Sequence, residues 1–305
     1  MLNFFKSYKN HIYFHKKNKV NSIIIIAFIH IVLFFELKIG EHEKEKIKYQ
    51  QDEITIVTAY YRIKSKHKPK QYLDWIKNFV LLNRSMVFFT NKKLINHIKS
   101  FRPKKFNDKT VFLEVEIEEF YAYKNFINDF IKTFEIDFER KHHTIPLYLI
   151  WAEKCSFMKK AITYNFFNST CFYWIDAGYF RKKSEMVKYS NNWPSTKKCF
   201  EEKRLLMGQI KNFSNIERRK IINFDIQEHI KLRKEDNVIG GIFGGQNDYI
   251  LRFIYLYYKT LKLFVKKKMF IGKDQNIFTY IALSNPKIVK LVILKDYEKY
   301  KEYIS

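Results

Sequence analysis

Short runs of β-branched and aromatic residues alternate along this chain with longer stretches in which apolar positions recur every three to four residues. Glu53 to Tyr61, EITIVTAYY, reads as a buried first strand, and Ser85 to Thr90, SMVFFT, as a second. Val111 to Ile117 alternates and reads as a third, less buried strand. Cys171 to Ile175, Val238 to Phe243 and Lys287 to Leu294 complete the set. Helices fall between them. Pro69 opens one, with Tyr72, Trp75, Ile76, Phe79 and Val80 on a single face. Leu94, Ile95 and Ile98 mark a short second helix. Glu118 to about Arg140 reads as a third, with acids in its first turn as the macrodipole favours. Pro146 starts a fourth, with Leu147, Ile150, Trp151, Cys155, Met158 and Ile162 on one side. Gln246 to Val265 is a long aromatic helix, and Ile271 to Gln275 opens another. Tyr179 to Asp236 shows no regular pattern. The alternation predicts an α/β fold with a mostly parallel central sheet and helices on both faces.

The first fifty residues follow a different pattern. Residues 1–21 carry Lys6, Lys9, Lys16, Lys17 and Lys19 and no acid. Residues 22–35, SIIIIAFIHIVLFF, are apolar except for His30, and extending the run to 39 gives about the twenty residues needed to span a bilayer. The bulky Phe34-Phe35-Glu36-Leu37 offers no small-residue cleavage site. The expectation is a basic cytoplasmic tail (1–21), a transmembrane signal-anchor (22–39), a polar stalk (40–52) and a folded body (53–305) in a lumen, a periplasm or the exterior. A cleaved signal and a buried helix are the competing readings of the apolar run.

Composition narrows the class without choosing a partner. The chain has 305 residues, 57 Lys+Arg against 31 Asp+Glu, and a formal charge of +26. With 30 Phe and 21 Tyr it is no disordered chain. Cys155, Cys171 and Cys199 are too few for a disulfide framework, show no CxxC spacing, and read as structural. The excess charge suits nucleic acid, an anionic membrane or a phosphorylated small molecule; abundant Lys, Asn, Ile, Phe and Tyr also fit a drift in base composition.

Glycine marks where chemistry is to be sought. Six of the eight glycines fall at Gly178, at Gly240, Gly241, Gly244 and Gly245, and at Gly272, each cluster at a strand end or helix start. In open α/β sheets ligands bind outside the carboxyl ends of strands, and glycine lets backbone approach a ligand. Asp176 ends the strand CFYWI, where a carboxylate is costly to bury unless paired. It reads as a ligand for Mg²⁺ or Mn²⁺ on a diphosphate, or as the cap of the next turn. Asp274 reads as a general base or acceptor-binding carboxylate beside Gln275, or as a helix-start acid. Arg62, Lys64, Lys66, Lys68 and Lys70 form a basic loop suited to a diphosphate, to lipid headgroups or simply to a solvated face, and Lys154 reads as a further phosphate contact or as an exposed helix lysine. GxSxG, P-loop and GxGxxG motifs are absent.

These residues resemble the HtrL/YibB family from about Ile54 to Leu294. The resemblance rests on ITIVTAYY at 54–61, the YLxW helix at 72–75 and PLYLIWAEK at 146–154. It continues through FYWIDAG at 172–178, GGIFGG at 240–245 and GKDQ at 272–275. The family is similar to nucleotide-sugar-dependent glycosyltransferases with a GT-A-type fold. That resemblance implies a GT-A-like body in which Thr58, Tyr60 and Arg62 contact the nucleotide. It implies that Asp176 holds a metal or the donor sugar, with Gly178, Gly244 and Gly245 near the substrate. Asp274 and Gln275 then face the acceptor or the sugar. A single Asp stands in WIDAG where such enzymes usually carry DxD, so a Lys/Arg clamp is the alternative to Mn²⁺ or Mg²⁺.

The expectation is therefore a membrane-anchored glycosyltransferase-like enzyme. It would move sugar from a nucleotide-sugar donor to a glycan, lipid or protein acceptor. The alternatives are a non-catalytic membrane protein that keeps the fold and, on charge alone, a nucleic-acid binder; no nucleic-acid partner is expected.

Overall fold

The strand β1 (Ile54–Ala59) is buried along its whole length, because both of its faces are covered. Val57, Ala59 and Tyr61 join one apolar layer, while Ile54, Ile56 and Tyr60 join the other. Strands covered on both sides read as continuous apolar runs rather than alternations. The computed structural model describes residues 49–189, 193–235, 237–294 and 297–305. The expected tail and signal-anchor lie outside these residues. Among the described residues, no helix is long and apolar enough to cross a membrane. The last residues of the expected stalk belong to the body instead: Tyr49 packs against Phe166 and Phe167, and Asp52 binds Arg84 and the Ser85 and Ile54 amides.

After β1 come α1 (Pro69–Phe79), β2 (Ser85–Thr90), α2 (Lys92–Lys99), β3 (Thr110–Glu114), α3 (Tyr121–Phe134), α4 (Ile145–Tyr164) and β4 (Cys171–Ile175). Then follow α5 (Lys183–Lys188), α6 (Thr196–Glu201), β5 (Leu205–Gln209), α7 (Asn215–Ile222) and α8 (Ile226–Lys234). β6 (Val238–Gln246), α9 (Asn247–Lys266), α10 (Asp274–Ser284), β7 (Val289–Ile293) and α11 (Tyr297–Tyr303) complete the order. The sheet has seven strands in the order β3-β2-β1-β4-β6-β5-β7. All pairings are parallel except those of β6, which runs antiparallel to β4 and β5.

Two departures from the sequence expectation have local causes. The third helix begins at Tyr121, not Glu118, because residues 117–119 form a separate 3₁₀ turn. It ends at Phe134, after which a loop carries Asp137 to the start of α4. The charged stretch after Tyr179 contains β5 and four short helices. Its strand, LLMGQ, is too short and too Gly-broken to show a period.

α4 explains much of the site. It is apolar around its circumference, not on one stripe, and packs between β1, β4 and the helices α3, α9 and α10. A helix buried on all sides carries its polar residues inward. Glu153 accepts the backbone amides of Tyr121 and Ala122 at 3.1 and 2.9 Å, so an acid from α4 caps the start of α3. Cys171 and Cys199 form a disulfide that ties the start of β4 to α6; Cys155 is a buried free thiol, pushed up by burial and thus unreactive.

Candidate functional site: a cleft at the switch point of the sheet

From β1 the chain builds outward through β2 and β3, then returns to lay β4 on the other side of β1. The crevice where strand order reverses is where open α/β sheets bind ligands. A cleft of about 690 Å³ lies there, walled by the residues that follow β1 and β4. That volume falls in the range of about 300–1,000 Å³ usual for small-molecule sites.

Its floor is a triad drawn from three elements. Lys154, from the middle of α4, is buried, and its Nζ lies 2.8 Å from Asp274 Oδ2 and 3.3 Å from Asp176 Oδ1. Its third contact is the Gly240 carbonyl at 2.9 Å. Burial alone would lower the lysine's pKa, but the two carboxylates outweigh it and raise it, so the ammonium stays charged. Burial pushes Asp274 upward against the pull of Lys154. Asp274 opens α10 and its Oδ1 accepts the Gln275 amide at 2.8 Å, while Gln275 Nε2 donates to the Val238 carbonyl. Asp274 is thus sealed behind the lysine.

Asp176 is different: its side chain is 43% exposed. Trp174 and Asp176 are two residues apart across the end of β4, and the Trp174 indole N–H donates to Asp176 Oδ1 at 2.7 Å. One carboxylate oxygen is therefore tied to indole and ammonium. The other, Oδ2, lies beside Gly241, where an added Cβ would sit 3.2 Å away. At Gly240 an added Cβ would meet Asp274 Oδ1 at 3.1 Å. These two glycines let β6 run against both carboxylates.

The walls are aromatic. On one side stand Tyr72, Trp75 and Tyr179, with His67 edge-on to Trp75 and the Arg181 guanidinium 4.8 Å above the Trp75 ring. On the other stand Tyr61, Leu147, Ile150, Trp151 and His143. His143 is held by Asp137, 2.7 Å from its Nδ1. Burial would raise Asp137, but hydrogen bonds from His143, Tyr148 and the Glu139 amide lower it to about 2. At the rim, Glu139 pairs with Lys273 and Glu185 with Lys301. Lys66 and Arg181 make no ion pair among the described residues.

Of the residues singled out from sequence, Tyr60, Lys154, Asp176, Gly178, Asp274 and Gln275 line this cleft. Thr58 does not; it is buried within β1. Arg62 is exposed beyond β1 and does not line it either, although Lys66 of the same loop does. Gly244 and Gly245 lie inside the sheet: a Cβ at Gly244 would strike the Phe172 carbonyl at 2.4 Å, and Gly245 has φ +151° beside Arg204. The glycines at the site are their neighbours Gly240 and Gly241. Trp151 and Arg181 gave no sequence signal of their own. Trp174 did, since residues two apart on a strand share a face.

The donor set was tested against a divalent ion. The space between Asp176 and Asp274 is filled by the Lys154 ammonium, and the other two lining carboxylates, Glu139 and Glu185, are paired with Lys273 and Lys301. Among the described residues, no group of three or more His, Cys, Asp or Glu side chains is gathered for a metal. The protein groups therefore fit a resident ammonium rather than a divalent cation.

A family model described as "Bacterial protein of unknown function (HtrL_YibB)" matches residues 52–305. No curated protein matches the chain.

Proposed function

The chain belongs to the HtrL_YibB family, and from that premise we propose that it is a glycosyltransferase-like enzyme with a GT-A-like body, held to a membrane by its N-terminal apolar segment. It moves a sugar from a nucleotide-sugar donor to a hydroxyl of a glycan, lipid or protein acceptor. The observation that carries this reading is Asp176. It is fixed through one oxygen at the switch point of the sheet and offers the other to an aromatic-walled cleft.

The charge distribution supports the same chemistry. Glycosyl transfer develops positive charge on the sugar ring and negative charge on the departing diphosphate. Two carboxylates and one ammonium leave the floor with one formal negative charge. The unpaired cations, Lys66 and Arg181, stand at the rim. In the proposed complex the sugar lies over Asp176, which accepts a sugar hydroxyl and faces the developing cation. Lys66 and Arg181 take the diphosphate, a role that Lys154 is too fully engaged to fill. Aromatic rings supply flat faces for sugar or base. No step is routed through a metal.

The test is calorimetry with a panel of nucleotide sugars, with and without Mn²⁺, followed by turnover of the donor that binds. One donor is expected to bind without Mn²⁺. Asp176→Asn should lower turnover about 10²- to 10⁴-fold with an unchanged melting temperature. Failure of every nucleotide sugar to bind would overturn the reading in favour of a non-catalytic protein.

A further inference from the structure

A second cavity, of about 340 Å³, reaches Asn276 on α10, one residue beyond Gln275 of the cleft. Its walls are apolar: Phe224, Ile226, Ile230, Phe264, Met269 and Phe270. Its polar lining is His229, Asn276 and three cations. Arg233, Lys267 and Lys268 border it, and none of them makes an ion pair among the described residues. Lys267 Nζ lies 4.4 Å over the Phe224 ring, and the Arg233 guanidinium 5.0 Å from the Phe270 ring. No carboxylate lines the cavity.

Two further observations set it apart from an ordinary surface dent. Asn276 is only 3% exposed, and its Oδ1 has no hydrogen-bond partner. The apolar surface also continues outward, because the lining residues Ile226 and Ile136 are 73% and 45% exposed. Apolar surface at the mouth of a cation-lined cavity matches a ligand with a chain and an anionic head, and mismatches a simple anion, which would leave the apolar walls unused.

We propose that this cavity binds one anionic amphiphile, an alkyl or acyl chain bearing a phosphate. The chain lies between Phe224, Phe264 and Phe270 and leaves past Ile226, and the phosphate is held by Arg233, Lys267 and Lys268. The site stands independently of the reaction assigned to the cleft.

The full chain in a neutral detergent would be titrated with dodecyl phosphate, dodecanol and inorganic phosphate, and bound molecules counted by native mass spectrometry. Dodecyl phosphate is expected to bind one to one, with dodecanol and inorganic phosphate at least tenfold weaker. Ile226→Asp and the pair Lys267→Glu/Lys268→Glu alter exposed or rim positions and should each weaken dodecyl phosphate at least tenfold while melting as the parent does. Equal binding of inorganic phosphate would overturn the amphiphile. Dodecyl phosphate binding unchanged in both variants would overturn the site, since the ligand would then be partitioning into detergent or the N-terminal apolar segment.

Discussion

At the residue scale the feature that most constrains the site is Lys154. A buried ammonium between two carboxylates is a weak source of stability when complete, because desolvation offsets the attraction, yet removing the lysine strands the buried Asp274 charge. Lys154→Met should therefore destabilise the fold by about 3–5 kcal/mol, read from urea unfolding. Adding Asp274→Asn should recover part of that loss, because the carboxylate most deeply buried would no longer be charged. An additive double variant would show that the lysine acts through packing alone. Asp176→Asn belongs on the other side of this division. Its carboxylate is exposed to the cleft, so its loss should appear in turnover and not in stability. The same neighbouring positions thus separate a structural charge from a working one.

At the scale of elements, β6 carries two glycine pairs with different jobs. Gly240 and Gly241 make room for carboxylates, whereas Gly244 makes room for the backbone and ring of β4. Gly244→Ala would drive a methyl into Phe172 O and Tyr173 at 2.4 Å, and should cost several kcal/mol or prevent folding, since a packed sheet yields little. Gly241→Ala meets Asp176 Oδ2 at 3.2 Å, a side-chain contact that can shift. It should fold and melt near the parent but turn over at least tenfold slower. Equal stability of the two variants would refute this division of roles. The two pairs also mark how far sequence could see. The pattern GGIFGG located the strand, which runs on through Gly244 and Gly245 to Gln246 instead of ending at Phe243, but a period of two cannot say which glycines face the cleft until the pairing partner is known. Asp176 and Asp274 were legible because each borders an apolar, buried run, the strand CFYWI before the first and the helix after the second. Trp151 and Arg181 were not, because aromatic and basic residues are so common here that their clustering is a property of topology alone. β5 was hidden for a related reason: LLMGQ takes its place from β6 and β7 on either side, not from its own pattern.

At the scale of the molecule, the Cys171–Cys199 bond bears on where the body resides. It ties the start of β4, the strand that ends at Asp176, to a helix in the charged stretch that follows it, closing a separation of 28 residues. Disulfides persist in oxidising compartments and are rare in a reducing cytosol. The bond therefore agrees with a lysine-rich tail left in the cytoplasm and a body carried across the membrane, the orientation expected from Lys6 to Lys19. Both cysteines are buried, so the bond is shielded by the core that it helps to hold. In cells producing the full chain, lysis directly into denaturant and a first thiol reagent would block every free thiol, after which disulfides would be reduced and labelled with a second. The expected result is two cysteines taking the second label and Cys155 the first. All three taking the first label would put the body in a reducing compartment and remove the support for export. Cys199→Ser should lower stability by about 2–4 kcal/mol, the usual worth of a bond closing a loop of this length, and reductant should then shift the melting temperature of the parent but not of the variant.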